Sequence, residues 1–183
     1  MIIIKHRVKS QKEIEDELGL EIDIRDYNGE IVLSHDLPDE QSIKFQDFLK
    51  YVRKNNFLAI NVKSVEIESK LKKVLSESQI SNYFTFDWPI PSLRKALSYD
   101  LKCAFRLSEY EKDVFPNCNW VWIDSFHEIW YDVDFLISLK KSGTKLALVS
   151  PELHDRKSDM KKVKDIINSV KVDAICTDLP QYW

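Results

Sequence analysis

Short apolar runs rich in Ile, Val and Phe recur along the chain, and Lys- and Glu-rich amphipathic stretches separate most of them. The runs MIIIKH, LEIDIRD, FLAINVK, NYFTFD, LKCAFRL, WVWIDSF, TKLALVS and DAICTDL read as strands, and QKEIEDEL, FQDFLKYVRK and VEIESKLKKVL carry helical periodicity. Parallel strands covered by helices are buried on both faces, so they show near-continuous apolar runs rather than strict alternation. Eight such strands point to closure into a barrel, and the expected fold class is α/β, a compact (β/α)8 TIM-type barrel. Barrels of this kind usually need about 250 residues. With 183, this chain has room for short loops only. Residues 1–183 are read as one domain, the expectation for this length.

Two stretches interrupt the rhythm. In YNGEIVLSHD, Asn28-Gly29 is a two-residue hairpin signal that returns an extra extended segment against strand two and brings His35 beside it. Between Glu109 and Asn119 no helix is apparent, and Pro116 argues for a loop. Gly19 and Gly143 each fit a helix C-cap before a strand, the latter in the turn KKSGTK. With Gly29 these are all the glycines, so no glycine-rich phosphate loop exists and the Walker and dinucleotide-binding classes are excluded.

A formal net charge of −3 gives no electrostatic reason to expect nucleic acid or an anionic membrane as partner. Any phosphate must be held by a local pocket, and the expected partner is a small molecule. Cys103, Cys118 and Cys176 have neither metal-knuckle spacing nor a disulfide framework and read as buried small residues. The apolar start of MIIIKHRVK is too short for a secretory signal, and no stretch approaches the roughly 20 apolar residues of a membrane span. No apolar surface helix argues for interfacial binding. The expected location is the cytoplasm, and the oligomeric state is left open.

In a β/α barrel the chemistry sits at the carboxyl ends of the strands. Strand one ends in His6-Arg7, strand two holds Glu21 and Asp23, strand three Asn61 and Lys63, and strand four Thr85 and Asp87. Residues two apart on a strand share a face, so each of the last three pairs is aligned. Two carboxylates on one face repel unless protons, basic groups or a cation offset them, and a hard cation such as Mg²⁺ or Ca²⁺ does so with oxygen ligands. The alternative is a solvent-facing acidic pair. His6 and His35 flank that pair, and phosphodiester cleavage needs a base for the nucleophile and an acid for the leaving oxygen. Arg7 and Lys63 suit phosphate, or simply neutralise the carboxylates. His127 and His154 read as surface residues; Tyr83, Trp122, Trp130 and Trp183 read as core or rim packing rather than pocket lining.

The string HR followed by LEIDIRDYNGEIVLSHD resembles the glycerophosphodiester phosphodiesterase family, within the phosphatidylinositol-phospholipase-C-like phosphodiesterases, as a short divergent member. That family's pattern is His-Arg-Gly, then Glu-x-Asp-Val, a glycine turn, a short strand and His-Asp. His6, Arg7, Glu21, Asp23, Gly29, His35 and Asp36 occupy those places. Later, LAINVKS, FTFDWPIPSLRKAL and VDAICTDLPQYW are similar to the family's third-strand, Ser-Phe-Asp and closing Thr-Asp segments. The resemblance implies a divalent metal held by Glu21 and Asp23, His6 and His35 as acid and base, and Arg7 and Lys63 on the phosphate. Val8 replaces the family glycine, Lys9 to Leu18 lacks its Pro-Glu-Asn-Thr motif, and Asn61 stands where the family has a metal-binding glutamate. An asparagine oxygen still ligates Mg²⁺ or Ca²⁺, with lower affinity, so Asn61 is the expected third metal ligand. Mn²⁺ is equally compatible.

The activity this implies is metal-dependent hydrolysis of a small soluble phosphodiester, glycerophosphodiester-like, by paired-histidine acid/base catalysis. One rival is a catalytically impaired relative that binds a phospho-metabolite or a partner protein. Another is a metal-free barrel chemistry such as a sugar-phosphate isomerase or lyase.

Overall fold

The computed structural model describes residues 1–113, 117–141 and 143–183. Pro116, expected in a loop, and Ser142 of the KKSGTK turn lie outside the described residues. The described strands are β1 (Ile2–Lys5), β2 (Gly19–Tyr27), β3 (Glu30–Leu33), β4 (Leu58–Val62), β5 (Tyr83–Phe86), β6 (Ala104–Leu107), β7 (Trp120–Ile123), β8 (Lys145–Val149) and β9 (Ala174–Thr177). The α-helices are α1 (Phe45–Leu49), α2 (Glu68–Glu77), α3 (Ile90–Ser98), α4 (Val133–Lys141) and α5 (Met160–Val170). All eight strands expected from the apolar runs are present, and β3 is the extra hairpin segment. Contacts divide the chain into a central unit, His6–Cys103, and a terminal unit formed by Met1–Lys5 with Ala104–Trp183.

In the central unit β2, β4 and β5 run parallel, with Ile22 opposite Ile60 and Ile60 opposite Thr85. Leu20, Ile22, Ile24, Leu58 and Ile60 are fully buried, as strands covered on both faces require. Each such side chain contributes roughly 1.5–3 kcal/mol by leaving water. Phe84 packs edge-on against Phe57 and Phe86, with centroids 5.5 and 5.9 Å apart. β3 pairs antiparallel with β2 from Tyr27–Glu30 to Ile24–Leu33. Asn28 (φ 49°) and Gly29 (φ 75°) form the turn, and two central residues at positive φ are what a right-twisted two-residue hairpin demands. A Cβ at Gly29 would meet nothing within 4 Å, so glycine is favoured there by backbone conformation, not by space.

Three local expectations give way. QKEIEDEL forms only one 3-10 turn, Gln11–Glu13. Its start is fastened, Ser10 Oγ donating to Glu13 Oε1 at 3.0 Å. Ile14 and Leu18 alone, however, make too narrow an apolar stripe to hold a helix on the core. The buried Asn56 amide instead donates to the carbonyls of Glu15 and Leu18, both at 2.8 Å, and holds the segment as a loop. Gly19 therefore opens β2 and caps no helix. FQDFLKYVRK is helical only over Phe45–Leu49, where Phe45, Phe48 and Leu49 are buried.

In the terminal unit the parallel order is β1-β9-β8-β7-β6. Val121, Ile123, Leu146, Leu148 and Ile175 form its core with Leu136 of α4. On α5, Met160, Val163, Ile166, Ile167 and Val170 bury one stripe at helical spacing against that core. Gly143 adopts φ 82°, the left-handed geometry expected after α4. Cys103, Cys118 and Cys176 are all buried and in no disulfide, as expected. Tyr83 and Trp122 are core residues, and Trp130 packs on Tyr131 and Phe135.

Candidate active site

The carboxyl half of β2 in the central unit concentrates charge. Glu21 and Asp23 lie on one face of the strand, 3% and 6% exposed. Register sets Glu21 opposite Ala59 and Asp23 opposite Asn61 on β4, and the next residue across on β5 is Phe86. Thr85, expected to present a polar pair with Asp87, sits instead in the Ile22–Ile60 row on the opposite face. Its hydroxyl donates to Lys102 O at 3.1 Å and accepts from Trp88 Nε1 at 2.8 Å. A one-residue phase offset between β4 and β5 thus ends the polar row at Asn61.

Arg7 takes the left-handed region, φ 51°, in the position the family pattern gives to the residue before glycine. That geometry aims its backbone N–H at Glu21 Oε2, 2.8 Å away, while Val8 N donates to Glu21 O at 2.8 Å. The buried Val8 side chain occupies the place of the missing glycine. Arg7 Nε lies 3.9 Å from Asp23 Oδ2 and Lys63 Nζ 3.5 Å from Asp23 Oδ1. Burial first, and the Asp23 charge second, push the Glu21 carboxyl up to about 8, against the Arg7 N–H, which lowers it. Two buried acids facing only partial compensation are a site short of positive charge.

That shortage has a signature in stability. A group whose folded pKa exceeds its ordinary value adds stability that is full below about pH 4.5 and is lost as pH rises toward 8. In chelator-containing buffer, unfolding free energy is expected to fall with pH over that window, at up to about 1.4 kcal/mol per unit from this one group. Glu21→Gln should flatten the slope. Urea titrations at stepped pH giving equal slopes for both proteins would refute the assignment.

The same residues fit a cation. Asn61 is 7% exposed, and its Oδ1 is buried with no hydrogen-bond partner, an acceptor left unmet beside Asp23. Glu21, Asp23 and Asn61 together offer the hard oxygen donors that Mg²⁺ or Ca²⁺ prefers. Among the described residues no three His, Cys, Asp or Glu side chains converge on one point.

His35 follows β3, and the hairpin ties it in, since Ser34 N donates to Asp23 O at 3.0 Å. Its Nδ1 lies 2.9 Å from Asp36 Oδ1. A cavity of about 220 Å³ is walled by Arg7, Lys9, Asp23, Ser34, His35 and Asp36 with Val8 and Leu33. It brings Arg7, Asp23 and His35 together, while Glu21, Asn61 and Lys63 sit behind or beside Asp23 rather than in its wall. His6 is half-buried at the bend after β1, next to Arg7, outside that wall.

Sequence reasoning missed Arg25. It is the next residue in the Glu21–Asp23 phase, and its guanidinium donates to His35 O from Nε (3.2 Å) and Nη2 (3.0 Å), with Nη1 on Lys63 O at 3.4 Å. Continuing the count by two along LEIDIRD was the available signal. His154, expected at the surface, is instead tied to buried Asp124 through Nε2 at 2.7 Å. His127 is exposed as expected, with Tyr110 Oη on its Nε2 at 2.7 Å.

Eight parallel strands with intervening helices and an added β-hairpin place the chain in the (β/α)8 TIM-type class. Within that class, its fold is the one seen in solved glycerophosphodiester phosphodiesterases. The enzyme from Agrobacterium tumefaciens superposes with a TM-score of 0.70 over 98% of each chain, at 13% identity. The glycerophosphoryl diester phosphodiesterase domain of a Mycobacterium tuberculosis protein gives 0.69 over 99% of this chain and 97% of that one, at 10% identity. An Oleispira antarctica phosphodiesterase, solved with its product sn-glycerol-3-phosphate, gives 0.64 over 100% and 94%, at 14% identity. No family model matches the sequence, and no curated protein matches it either.

Proposed function

We propose that the central unit hydrolyses a small soluble phosphodiester of the glycerophosphodiester kind and does so with a divalent cation. The observation that carries this reading is the buried Glu21–Asp23 pair, approached by the Arg7 and Lys63 cations and set beside a cavity that holds His35. The fold shared with glycerophosphodiester phosphodiesterases supports it.

Glu21, Asp23 and Asn61 would hold Mg²⁺, Ca²⁺ or Mn²⁺, which when bound adds positive charge against the phosphoryl oxygens. Arg7 Nε is buried toward Asp23, but the side chain as a whole stays 40% exposed, and its exposed part would donate to a phosphoryl oxygen. Lys63 supplies a second cation on the far side of Asp23. Asp36 engages Nδ1 of His35 and leaves Nε2 to protonate the departing alkoxide. His6, at the end of the first strand, is the base that takes the proton of the nucleophile, either water or a neighbouring hydroxyl of the substrate. No helix among the described residues is long and apolar enough to cross a membrane. Three buried cysteines outside any disulfide suit a reducing compartment, and on that ground the cytoplasm is the proposed location.

The test is hydrolysis of bis(p-nitrophenyl) phosphate and of a glycerophosphodiester panel, with and without each cation. Release that requires a cation supports the reading; no release under any cation removes it. A separate expected outcome concerns binding. Millimolar Mg²⁺ or Ca²⁺ at 100 times its Kd raises stability by about 2.7 kcal/mol through mass action. Differential scanning fluorimetry should show the shift in the wild type and lose it in Asp23→Ala; an undiminished shift in the variant excludes Asp23 as a ligand.

Asn61 favours a second reading. It is neutral where the family has glutamate, and Asp23 already has two basic neighbours, so an impaired relative that binds a phospho-metabolite without turnover would keep the same geometry. Saturable binding of glycerol phosphate without hydrolysis of any diester would select it.

A further inference from the structure

Main-chain polar groups need partners, and at the ends of β3 and β4 the ladders that supply them run out. β2 is the shared neighbour of both strands. Its pairing with β3 stops at Ile24–Leu33, and its pairing with β4 stops at Ile24–Val62. His35 lies just past the first stop and Lys63 just past the second. One backbone bond carries each segment over its stop: Ser34 N donates to Asp23 O and Lys63 N to Ile24 O, both at 3.0 Å. Successive residues of a strand turn their carbonyls to opposite edges, so these two bonds leave β2 on opposite sides.

Arg25 sits on β2 between the two segments. Its side chain is half-buried and in the phase of Glu21 and Asp23, yet it forms no ion pair with a described residue. Its donors go to main-chain carbonyls instead. Nε and Nη2 both donate to His35 O, at 3.2 and 3.0 Å, and Nη1 donates to Lys63 O at 3.4 Å. One guanidinium therefore ties the segment after β3 to the segment after β4, across the strand that separates them. A planar fork with donors in fixed directions suits this task, whereas the ammonium of lysine is a point donor on a flexible stem. Next along β2, Asp26 N donates to Ser64 Oγ at 3.0 Å, so the segment after β4 is fastened a second time.

The two residues bridged in this way are the ones whose side chains serve the site. His35 lines the cavity of about 220 Å³, and Lys63 Nζ lies 3.5 Å from Asp23 Oδ1. Arg25 is not among the residues that wall the cavity, so it acts on a substrate only through them. We infer that Arg25 is a positioning residue, which fixes the backbones of His35 and Lys63 on either side of β2 and so holds imidazole and ammonium in place around Asp23. The assignment rests on the reading of His35 as the acid and Lys63 as a phosphate cation. Hydrogen bonds from a charged donor are stronger than neutral ones. Without them each segment keeps a single backbone bond to β2 next to its reacting residue, and misplacing a reacting group by about 1 Å costs about 10²-fold in rate.

The experiment pairs amide hydrogen exchange with kinetics on the full chain, in the wild type, Arg25→Met and Arg25→Lys. Methionine removes every donor, and lysine keeps the charge without the fork. In Arg25→Met the Ser34 and Lys63 N–H groups should exchange about tenfold faster, the loss of a hydrogen bond to a charged group in each segment. Leu20 and Leu58 N–H, bonded to Phe57 O and Asn82 O where β2 and β4 begin, should keep their rates. For a glycerophosphodiester, kcat should fall about 10²-fold, and the limb that His35 contributes to the pH profile of kcat/KM should shrink. The cation-induced thermal shift should stay, because the donors of Arg25 go to His35 O and Lys63 O and not to Glu21, Asp23 or Asn61. Arg25→Lys should restore protection at no more than one of the two amides. Wild-type exchange at both amides in Arg25→Met, or in Arg25→Lys, overturns the bridge; should Arg25→Met not fold, the lysine variant decides alone. Faster exchange with unchanged kcat overturns the positioning role. A wild type that hydrolyses no diester removes the hydrolytic reading instead, and the exchange rates still decide whether Arg25 holds the two segments.

Discussion

His6→Ala and His35→Ala are each expected to lower kcat for a glycerophosphodiester by about 10² to 10⁴-fold, the range a positioned acid or base contributes. The reason lies in the supply of proton carriers. Asp23 is engaged by Lys63 and Arg7, and Asp36 by His35, while Glu21, raised toward neutral, is buried behind Asp23 and out of the cavity wall, so no group in that wall replaces a lost imidazole. Folding should be nearly unaffected for His35, whose side chain is about a third exposed, with a change within about 0.5 kcal/mol. A structural role would alter stability and leave the pH dependence alone. A catalytic one removes a limb from the pH profile of kcat/KM. Steady-state kinetics across pH 5 to 9 on both variants, beside urea unfolding, separates the two, and wild-type turnover in both variants would end the assignment.

The second large effect is on stability. Phe84→Ala is expected to cost about 3–5 kcal/mol, since the ring is fully buried and leaves a cavity between Phe57 and Phe86 that β5 cannot collapse to fill. For a chain of this size each kcal/mol lowers Tm by about 2–4 °C, so calorimetry should find the variant melting about 6–20 °C below the wild type. Phe84→Leu, which keeps most of the volume, should lose far less. The position also reports on the site, because Phe84 shares the row of Glu21 and Ala59. Loss of cation-induced stabilisation in Phe84→Ala at a temperature where it is folded would show that the apolar end of this row supports the carboxylates.

What could be read from the residues follows the range of the interactions involved. All eight parallel strands were legible because an apolar run is a local property, and the hairpin was legible because Asn28-Gly29 encodes its own backbone angles. Arg7, Asp23 and His35, which spacing and the family pattern single out, line one cavity. The helix expected over QKEIEDEL failed because the decision was made by Asn56, some forty residues away. His154 was misplaced for the same reason, since its partner Asp124 is thirty residues distant and no local pattern marks the pair. Thr85 faced the wrong way because strand phase relative to a neighbour depends on register, which a single strand does not carry. Arg25 was accessible to the period of two along LEIDIRD, two residues beyond Asp23.

The hairpin also determines where this scaffold can be elaborated. Pairing from Tyr27–Glu30 to Ile24–Leu33 is held by Ile31, Val32 and Leu33, all buried, and not by the two residues at its tip. Extra residues inserted between Asn28 and Gly29 would project away as a longer loop while the paired stems stay in step, so a lid or a recognition loop could be grafted there with His35 undisturbed. A single deletion anywhere from Ile31 to Ser34 has the opposite consequence. It reverses the facing of every later residue, breaks the Ser34–Asp23 hydrogen bond, and turns His35 away from the cavity. Length variation in this segment should therefore be tolerated freely at the tip and, in the returning strand, only in steps of two.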